Sequence, residues 1–364
     1  MKILHVLYSG LGGHGNVFFS LADADKDKEY SLAALFNGIE DVREEYRQRC
    51  DEKKILWSFI KKKPGLDIRY YIKLYRQIKK SDAQIIFLHG AAAVIPARLA
   101  KLTGSRIQKI IVRETQANHL KSFADRAYLV AGILFADKMV FLSDAYKAEV
   151  KASHKLIFRD KKTAVIPNGI NLDLFSPSSA KEKKTDIILG MQSRLIAIKD
   201  HITLLDAFAL LLQKELPSSL KLMIAGDGAY RAKLEQHAEN LKISDKVIFT
   251  GMLPERELVN FLQQVDIYIH ASLGETMSTA IMQAMACAKP IIASDVPGIN
   301  NMIEHEVTGI LVPVKNAEVM VAAVLQLIND TNLCNHIAGN AFNFAAANYS
   351  NKKMFDNYKA IFSN

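Results

Sequence analysis

Residues Ser272–Pro313, SLGETMSTAIMQAMACAKPIIASDVPGINNMIEHEVTGILVP, set a carboxylate, a helix start and a strand in the order that anion binding needs. The polar loop ends at Glu275. Small hydroxyl residues at Ser278 and Thr279 then suit a helix N-cap, whose free N–H groups hold an anion by hydrogen bonds and dipole together. Ile281, Ala284, Met285 and Ala286 give the helix a narrow apolar body, and Lys289–Pro290 ends it before the strand IIAS. Elsewhere, Ser9-Gly10-Leu11-Gly12-Gly13-His14-Gly15 follows an apolar run and lets backbone N–H groups approach a ligand closely. Arg194 and Lys199 follow another such run, and His89 and Glu114–Gln116 end two more, where open α/β sheets line clefts.

Glu275 with the runs AMACAKP and TGILVP resembles the donor-binding signature of the retaining, GT-B-type glycosyltransferases of family 4. In that signature a second glutamate stands eight residues after the first; here the position holds Gln283. The resemblance implies that Glu275 touches hydroxyls of the transferred sugar and that Gln283 meets the ribose of the nucleotide, with a neutral amide in place of a carboxylate. It places Thr276, Met277, Ser278 and Thr279 along the donor, and Gly12 and Gly13 against its diphosphate. Gly190-Met191-Gln192-Ser193-Arg194-Leu195 followed by Lys199 resembles the family's Gly-Arg-Leu…Lys-Gly element, which implies that Arg194 and Lys199 clamp the two phosphates. Without a metal, cations and helix termini must carry the charge that builds on a leaving diphosphate. Ala225-Gly226-Asp227-Gly228 resembles the Gly-x-Gly turn near the base, Phe249-Thr250-Gly251 a loop after the next strand, and Ile166-Pro167-Asn168-Gly169-Ile170-Asn171 a hinge strand. His89 sits where the family places a histidine facing the donor sugar. Glu114 and Gln116 fall on the acceptor side.

The implied architecture is α/β with the GT-B fold: two Rossmann-like, doubly wound parallel-sheet domains facing each other across a cleft. Residues 1–170 form the acceptor domain, with a last helix over 350–364 packing back on it, and residues 171–349 form the donor domain. The implied activity moves a hexose or N-acetylhexosamine from a nucleotide diphosphate sugar to a glycan or lipid-linked acceptor in cell-surface polysaccharide biosynthesis, such as that of lipopolysaccharide in bacteria. It needs no cofactor and no metal. A nucleotide-sugar epimerase of the same fold and a non-catalytic partner subunit are the rival readings.

Composition frames these expectations. The chain has 364 residues, 49% of them hydrophobic, enough for two cores. Apolar runs and helix-period stretches alternate throughout, as βα units do. Strands are expected over Ile3–Tyr8, Ser31–Phe36, Gln84–His89, Lys109–Arg113, Lys138–Leu142 and Thr163–Pro167, with helices including Val94–Leu102. A second series follows the polar stretch SPSSAKEKKTD, with strands over Ile187–Met191, Lys221–Ala225, Val247–Phe249, Ile267–His270, Pro290–Ala293 and Ile310–Val312. Three widely spaced cysteines, Cys50, Cys287 and Cys334, argue against a disulfide frame or a zinc site. With no run of eighteen apolar residues and no signal peptide, a cytoplasmic protein, peripheral on the inner face of the membrane, is expected.

The net charge of +9 gathers between Arg43 and Lys80, where 13 Lys/Arg stand against 5 Asp/Glu. Within Lys53–Lys80 these cations interleave with Trp57, Phe59 and aliphatic residues, which suits an anionic bilayer surface; a solvated helix face covering a core is the plainer reading. No nucleic-acid module accompanies the charge, so nucleic acid is not an expected partner.

Overall fold

The protein, described here from a computed structural model, is seen over residues 1–363 apart from 11, 66, 119–120, 179–185 and 217. Leu11 of the glycine loop, Leu66 of the basic segment and most of the polar stretch after Ser178 therefore lie outside the described residues. The chain divides into one unit of Met1–Gly169 with Asn351–Asn364 and another of Ile170–Ser350.

The first unit holds strands β1 (Lys2–Tyr8), β2 (Ser31–Gly38), β3 (Leu56–Lys61), β4 (Ile85–His89), β5 (Lys109–Arg113), β6 (Lys138–Phe141) and β7 (Thr163–Val165). Between them run helices α1 (Gly13–Ala24), α2 (Glu44–Glu52), α3 (Ile68–Lys80), α4 (Val94–Leu102), α5 (Phe123–Phe135) and α6 (Asp144–Ser153). The strands pair in parallel in the order β3-β2-β1-β4-β5-β6-β7. A parallel sheet carries helices on both faces, which is why its strands read as apolar on both sides. Leu4, Val6, Ile86 and Leu88 point to a core shared with α3, α4 and α5, while Ile3, Ile85, Phe87 and Val140 point to one built with α1. The terminal helix Asn351–Ser363 joins that second core through Met354, Phe355, Tyr358, Ile361 and Phe362. At about 1.5–3 kcal/mol per fully buried large side chain, these five residues hold the helix to the first unit.

The second unit repeats the plan with β8 (Asp186–Gln192), β9 (Ser219–Ala225), β10 (Val247–Gly251), β11 (Ile267–His270), β12 (Ile291–Ser294) and β13 (Ile310–Val312), in the parallel order β10-β9-β8-β11-β12-β13. Its helices include α7 (His201–Leu211), α8 (Arg231–Asn240), α9 (Glu255–Gln264) and α10 (Thr279–Ala286). In each sheet the chain moves outward from the first strand and then crosses back to its other side. The reversal falls between β1 and β4 in one unit and between β8 and β11 in the other, and open α/β sheets bind ligands at such a switch point.

The basic segment departs from the plainer sequence reading in part. It is not one helix face: Leu56–Lys61 is an edge strand, seated by Ile60, with Leu56 and Trp57 exposed. Only α3 fits the plainer reading, since Tyr70, Leu74 and Ile78 recur at helical spacing and are buried in the core. Lysines at the edge of a sheet also discourage pairing with another chain.

Candidate active site

The carboxyl edge of the second sheet gathers the charged candidates. β8 ends at Gln192, and a short turn over Ala197–Lys199 leads to Asp200, whose left-handed backbone (φ 39°) starts α7. β11 ends at His270, and the following loop is tied to that turn. The Leu273 N–H donates to the Ile198 carbonyl at 2.8 Å, and the Ser272 hydroxyl donates to the same oxygen at 3.2 Å. On its other side the Pro297–Gly298 turn presses on the loop. Gly298 has φ +90°, and a Cβ there would run into the backbone oxygens of Glu275 and Thr276, so only glycine fits. These ties bring the Lys199 ammonium onto Glu275 Oε1 across 76 residues of sequence.

His270 Nε2 meets the same oxygen at 3.0 Å. A carboxylate can only accept, so the neutral ring carries its proton on Nε2. That nitrogen also lies 3.2 Å from the Ser278 hydroxyl, and Ser278 accepts from the Ile281 N–H as the N-cap of α10. Burial alone would raise the pKa of Glu275. The Lys199 charge and the His270 hydrogen bond outweigh it, and the pKa falls to about 2. Burial lowers that of His270, and its hydrogen bond to Glu275 only partly offsets the effect. Glu275 is thus an ionised, largely buried carboxylate, one oxygen of which, Oε2, has no hydrogen-bond partner among the described residues.

The structure brings together some expected site residues and separates the roles of others. Lys199, expected on the phosphates, is paired with Glu275, expected on the sugar. Arg194 is exposed and has no ion-pair partner among the described residues, so its charge is available to a ligand. Thr276, Met277, Ser278 and Thr279 form the entry to α10, and Gln283 sits one turn further in, its Oε1 accepting from Gln192 Nε2 at 2.6 Å. Gly226 and Gly228 have a packing reason of their own: a Cβ at either would strike the carbonyls of Ser193 and Leu195, against which this turn lies.

In the first unit Gly12 is the N-cap of α1, and a Cβ on Gly13 would meet nothing within 4 Å, so the helix start is open. His89 closes β4 with its Nε2 3.1 Å from His5 Nδ1 of β1. Glu114, expected on the acceptor side, has internal partners. Its Oε1 receives the Lys121 ammonium at 3.2 Å, the Tyr146 hydroxyl at 3.3 Å and the Gln116 N–H at 3.1 Å. The Gln116 carbonyl accepts from Tyr146 at 2.5 Å, so both residues belong to an internal network.

Sequence reasoning passed over His270, His5, Gln192 and the pair of Ser193 Oγ with His201 Nε2, 2.9 Å apart. Only His270 left a usable signal: a histidine ending a strand five residues before the candidate carboxylate.

Residues 11–174 match the model named Glycosyltransferase Family 4, and residues 175–344 that named Glycosyl transferases group 1. Over 196 residues the chain is 32% identical to the alpha-monoglucosyldiacylglycerol synthase of Streptococcus pneumoniae, a match covering 50% of this chain and 43% of that protein. An uncharacterized glycosyltransferase of Methanocaldococcus jannaschii is 29% identical over 67% of this chain and 63% of its own. The UDP-Gal:alpha-D-GlcNAc-diphosphoundecaprenol alpha-1,3-galactosyltransferase of Escherichia coli is 23% identical over 81% and 79%. The chain thus spans about half to two thirds of the first two relatives. Its fold matches that of Anabaena HepE, solved with UDP and glucose, with a TM-score of 0.84 at 21% identity over 100% of both chains. Two family models that together take in residues 11–344, on two parallel-sheet α/β units, show that the chain belongs to the family 4 glycosyltransferases and has the GT-B fold.

Proposed function

We propose that the protein is a metal-independent, retaining glycosyltransferase that moves a hexose or N-acetylhexosamine from a nucleotide diphosphate sugar to a glycan or lipid-linked acceptor in cell-surface polysaccharide biosynthesis. The observation that carries this reading is Glu275: an ionised, largely buried carboxylate with one oxygen anchored by Lys199 and His270 and the other free to accept from a sugar hydroxyl.

In the proposed reaction the bond from the sugar's anomeric carbon to the diphosphate oxygen breaks, and the acceptor hydroxyl oxygen bonds to that carbon on the same face. The hydroxyl proton passes to the departing diphosphate. Arg194 and the N–H groups at the start of α10 take up the charge that develops on this leaving group, joined by Lys199 as it turns from Glu275. Glu275 orients the sugar through its hydroxyls and steadies the positive charge at the reacting carbon. Gln283 meets the ribose, and His89, by family resemblance, meets the sugar.

UDP-glucose, present with HepE in another structure, is the first donor to test. Turnover to free UDP, accelerated by an acceptor and unchanged by chelator, is the expected result. An epimerised sugar nucleotide from donor alone would replace this reading by that of an isomerase.

A lipid-linked acceptor is supported by two relatives named for lipid or lipid-linked substrates. Among the described residues no helix is long and apolar enough to cross a membrane. Contact with an anionic membrane surface at the inner face would therefore run through Lys53–Lys80, where Leu56, Trp57, Ile68 and Ile72 are exposed among lysines and arginines. Some of these cations are already engaged, Lys53 with Asp23 and Lys61 with Asp41. Sedimentation with anionic vesicles should fall as salt rises and drop when Trp57 becomes Ser, since each basic residue near such a surface contributes about 1 kcal/mol. Salt-insensitive sedimentation, or none, would leave the segment as a solvated face.

A further inference from the structure

The two faces of the first sheet are covered by helices of different kind. On one face α1 and the terminal helix expose no large apolar side chain. On the other, α3, α4 and α5 carry every large apolar side chain that a helix exposes among the described residues, Val319 of the second unit apart. These are not the side chains that hold the helices down. α4 turns Val94, Ala97 and Ala100 into the core and leaves Ile95, Leu99 and Leu102, at i, i+4 and i+7, on its outer side. α3 buries Tyr70, Leu74 and Ile78 and exposes Ile68 and Ile72. The helices lie side by side: the Tyr75 and Thr103 hydroxyls are 3.0 Å apart at the end of α4, and the Tyr71 hydroxyl is hydrogen-bonded to that of Tyr128 in α5. Single exposed apolar residues are ordinary, but a set of them across three packed helices marks a surface that meets something apolar.

Charge narrows the choice of partner. The three helices hold one acidic residue, Asp125, and its carboxylate accepts from the Ser122 N–H in the capping box of α5. Arg98 and Lys101 of α4 are taken up by Asp137. Arg69, Lys73, Arg76 and Lys80 recur along α3 at i, i+4, i+7 and i+11, exposed and without an ion-pair partner among the described residues. A second copy of the same face would bring like charge against them, so the partner is anionic. A bilayer of anionic lipid meets both features at once, taking aliphatic side chains at the acyl boundary and cations at the phosphates.

We propose that the outer face of α3, α4 and α5 is where the protein rests on an anionic bilayer, with Ile95, Leu99 and Leu102 in the acyl boundary and the α3 cations at the lipid phosphates. This rests on the membrane contact proposed above and gives it a seat: α4 and α5 lie outside Lys53–Lys80, and the β3 edge with Trp57 is the rival seat.

The experiment is sedimentation of the full chain with phosphatidylglycerol vesicles, with phosphatidylcholine vesicles as the neutral comparison. The wild type should bind the first and not the second. Leu99 and Leu102 are 49% and 67% exposed, so Leu99→Glu with Leu102→Glu takes little from the core and should leave the circular dichroism unchanged. It should weaken binding by about 100-fold or more, as two leucines leave the acyl boundary and two carboxylates face the phosphates. Arg69→Gln and Lys73→Gln should each weaken it by about five-fold, and Trp57→Ser by less than the leucine pair. Lys352→Glu makes the same change of net charge on the terminal helix and should leave binding within about two-fold of wild type. UDP-glucose turnover in the leucine variant should equal that of the wild type, and its absence from both would count against the glycosyltransferase reading alone. If the leucine variant binds as the wild type does while Trp57→Ser does not, the bilayer sits on the β3 edge and the proposal is overturned, with the membrane contact left standing. Equal binding to phosphatidylcholine overturns the part given to the cations. A wild type that ignores phosphatidylglycerol overturns seat and contact together: a dimer split by the leucine variant would then give the face to a second copy, and a monomer would give it to an acidic protein.

Discussion

The two sheets of this protein reverse direction in the same way, yet their switch points are built from opposite materials. Between β8 and β11 the loops meet through a largely buried ion pair, Lys199 with Glu275, braced by His270. Between β1 and β4 the contact is a neutral histidine pair in an aromatic setting, with open glycine backbone beside it at α1. A largely buried carboxylate kept ionised answers positive charge and hydroxyl donors. A neutral ring and bare N–H groups can approach an anion or a sugar oxygen without fixing any charge of their own. In the proposed reaction the sugar carbon becomes positive, and the carboxylate suits that demand.

The contrast breaks most visibly at the ion pair. Lys199→Ala should lower turnover by about 100-fold or more and also cost stability, about 3 kcal/mol or more, because it strands a buried carboxylate. Steady-state kinetics and urea unfolding check the two parts. A loss of rate with full stability would mean that the pair is loose in solution. Arg194→Ala should lower turnover by about 100-fold while leaving stability unchanged, since this side chain is exposed and holds nothing in place. Near-wild-type kinetics would remove it from the leaving-group site.

Acid should separate the buried histidines of both units from Glu275 by pH window. His5 and His201 have folded pKa values near 3 against an ordinary 6.5, with burial as the main cause, so the unfolded chain binds more protons than the native one between these values. Stability is therefore full above about pH 6.5 and falls as pH drops, by up to about 1.4 kcal/mol per unit for each such histidine. Glu275 adds its own loss only lower, between its ordinary 4.5 and about 2. Unfolding curves at pH 7.5 and 5.5 should show the histidine loss already, and His5→Asn should reduce it. A profile flat down to pH 5 would contradict buried neutral rings.

The smallest expected effect concerns Gln283. A glutamate there can still accept from Gln192 Nε2, so Gln283→Glu should change UDP affinity by about 1 kcal/mol, roughly five-fold. Calorimetry decides, and abolished binding would show a pocket built around the amide pair.

Much of this layout is legible in the sequence, because its signals are local. The strands Lys109–Arg113, Ile267–His270 and Ile310–Val312 and the helix Val94–Leu102 are short apolar runs between turn residues, and their observed bounds are the expected ones. Ser278 caps α10 because a small hydroxyl before an apolar helix can do little else there. The strand β3 is hidden, since its Trp57, Phe59 and Ile60 lie among lysines whose charge dominates the pattern. The site contacts are hidden for a different reason. Lys199 and Glu275 are 76 residues apart and His5 and His89 are 84 apart, and no periodicity records a pairing across that distance. The pairing of Glu114 with the buried Lys121 is hidden likewise, since a polar residue at a strand end gives no sign of its partner.

The most direct test is Glu275→Gln, comparing UDP-glucose turnover with UDP binding by calorimetry. If Glu275 serves the sugar while other groups hold the diphosphate, turnover should fall by about 100-fold or more and UDP affinity should stay within a few-fold of wild type. Parallel loss of both, or loss of neither, would contradict the assignment of this carboxylate to the reacting sugar.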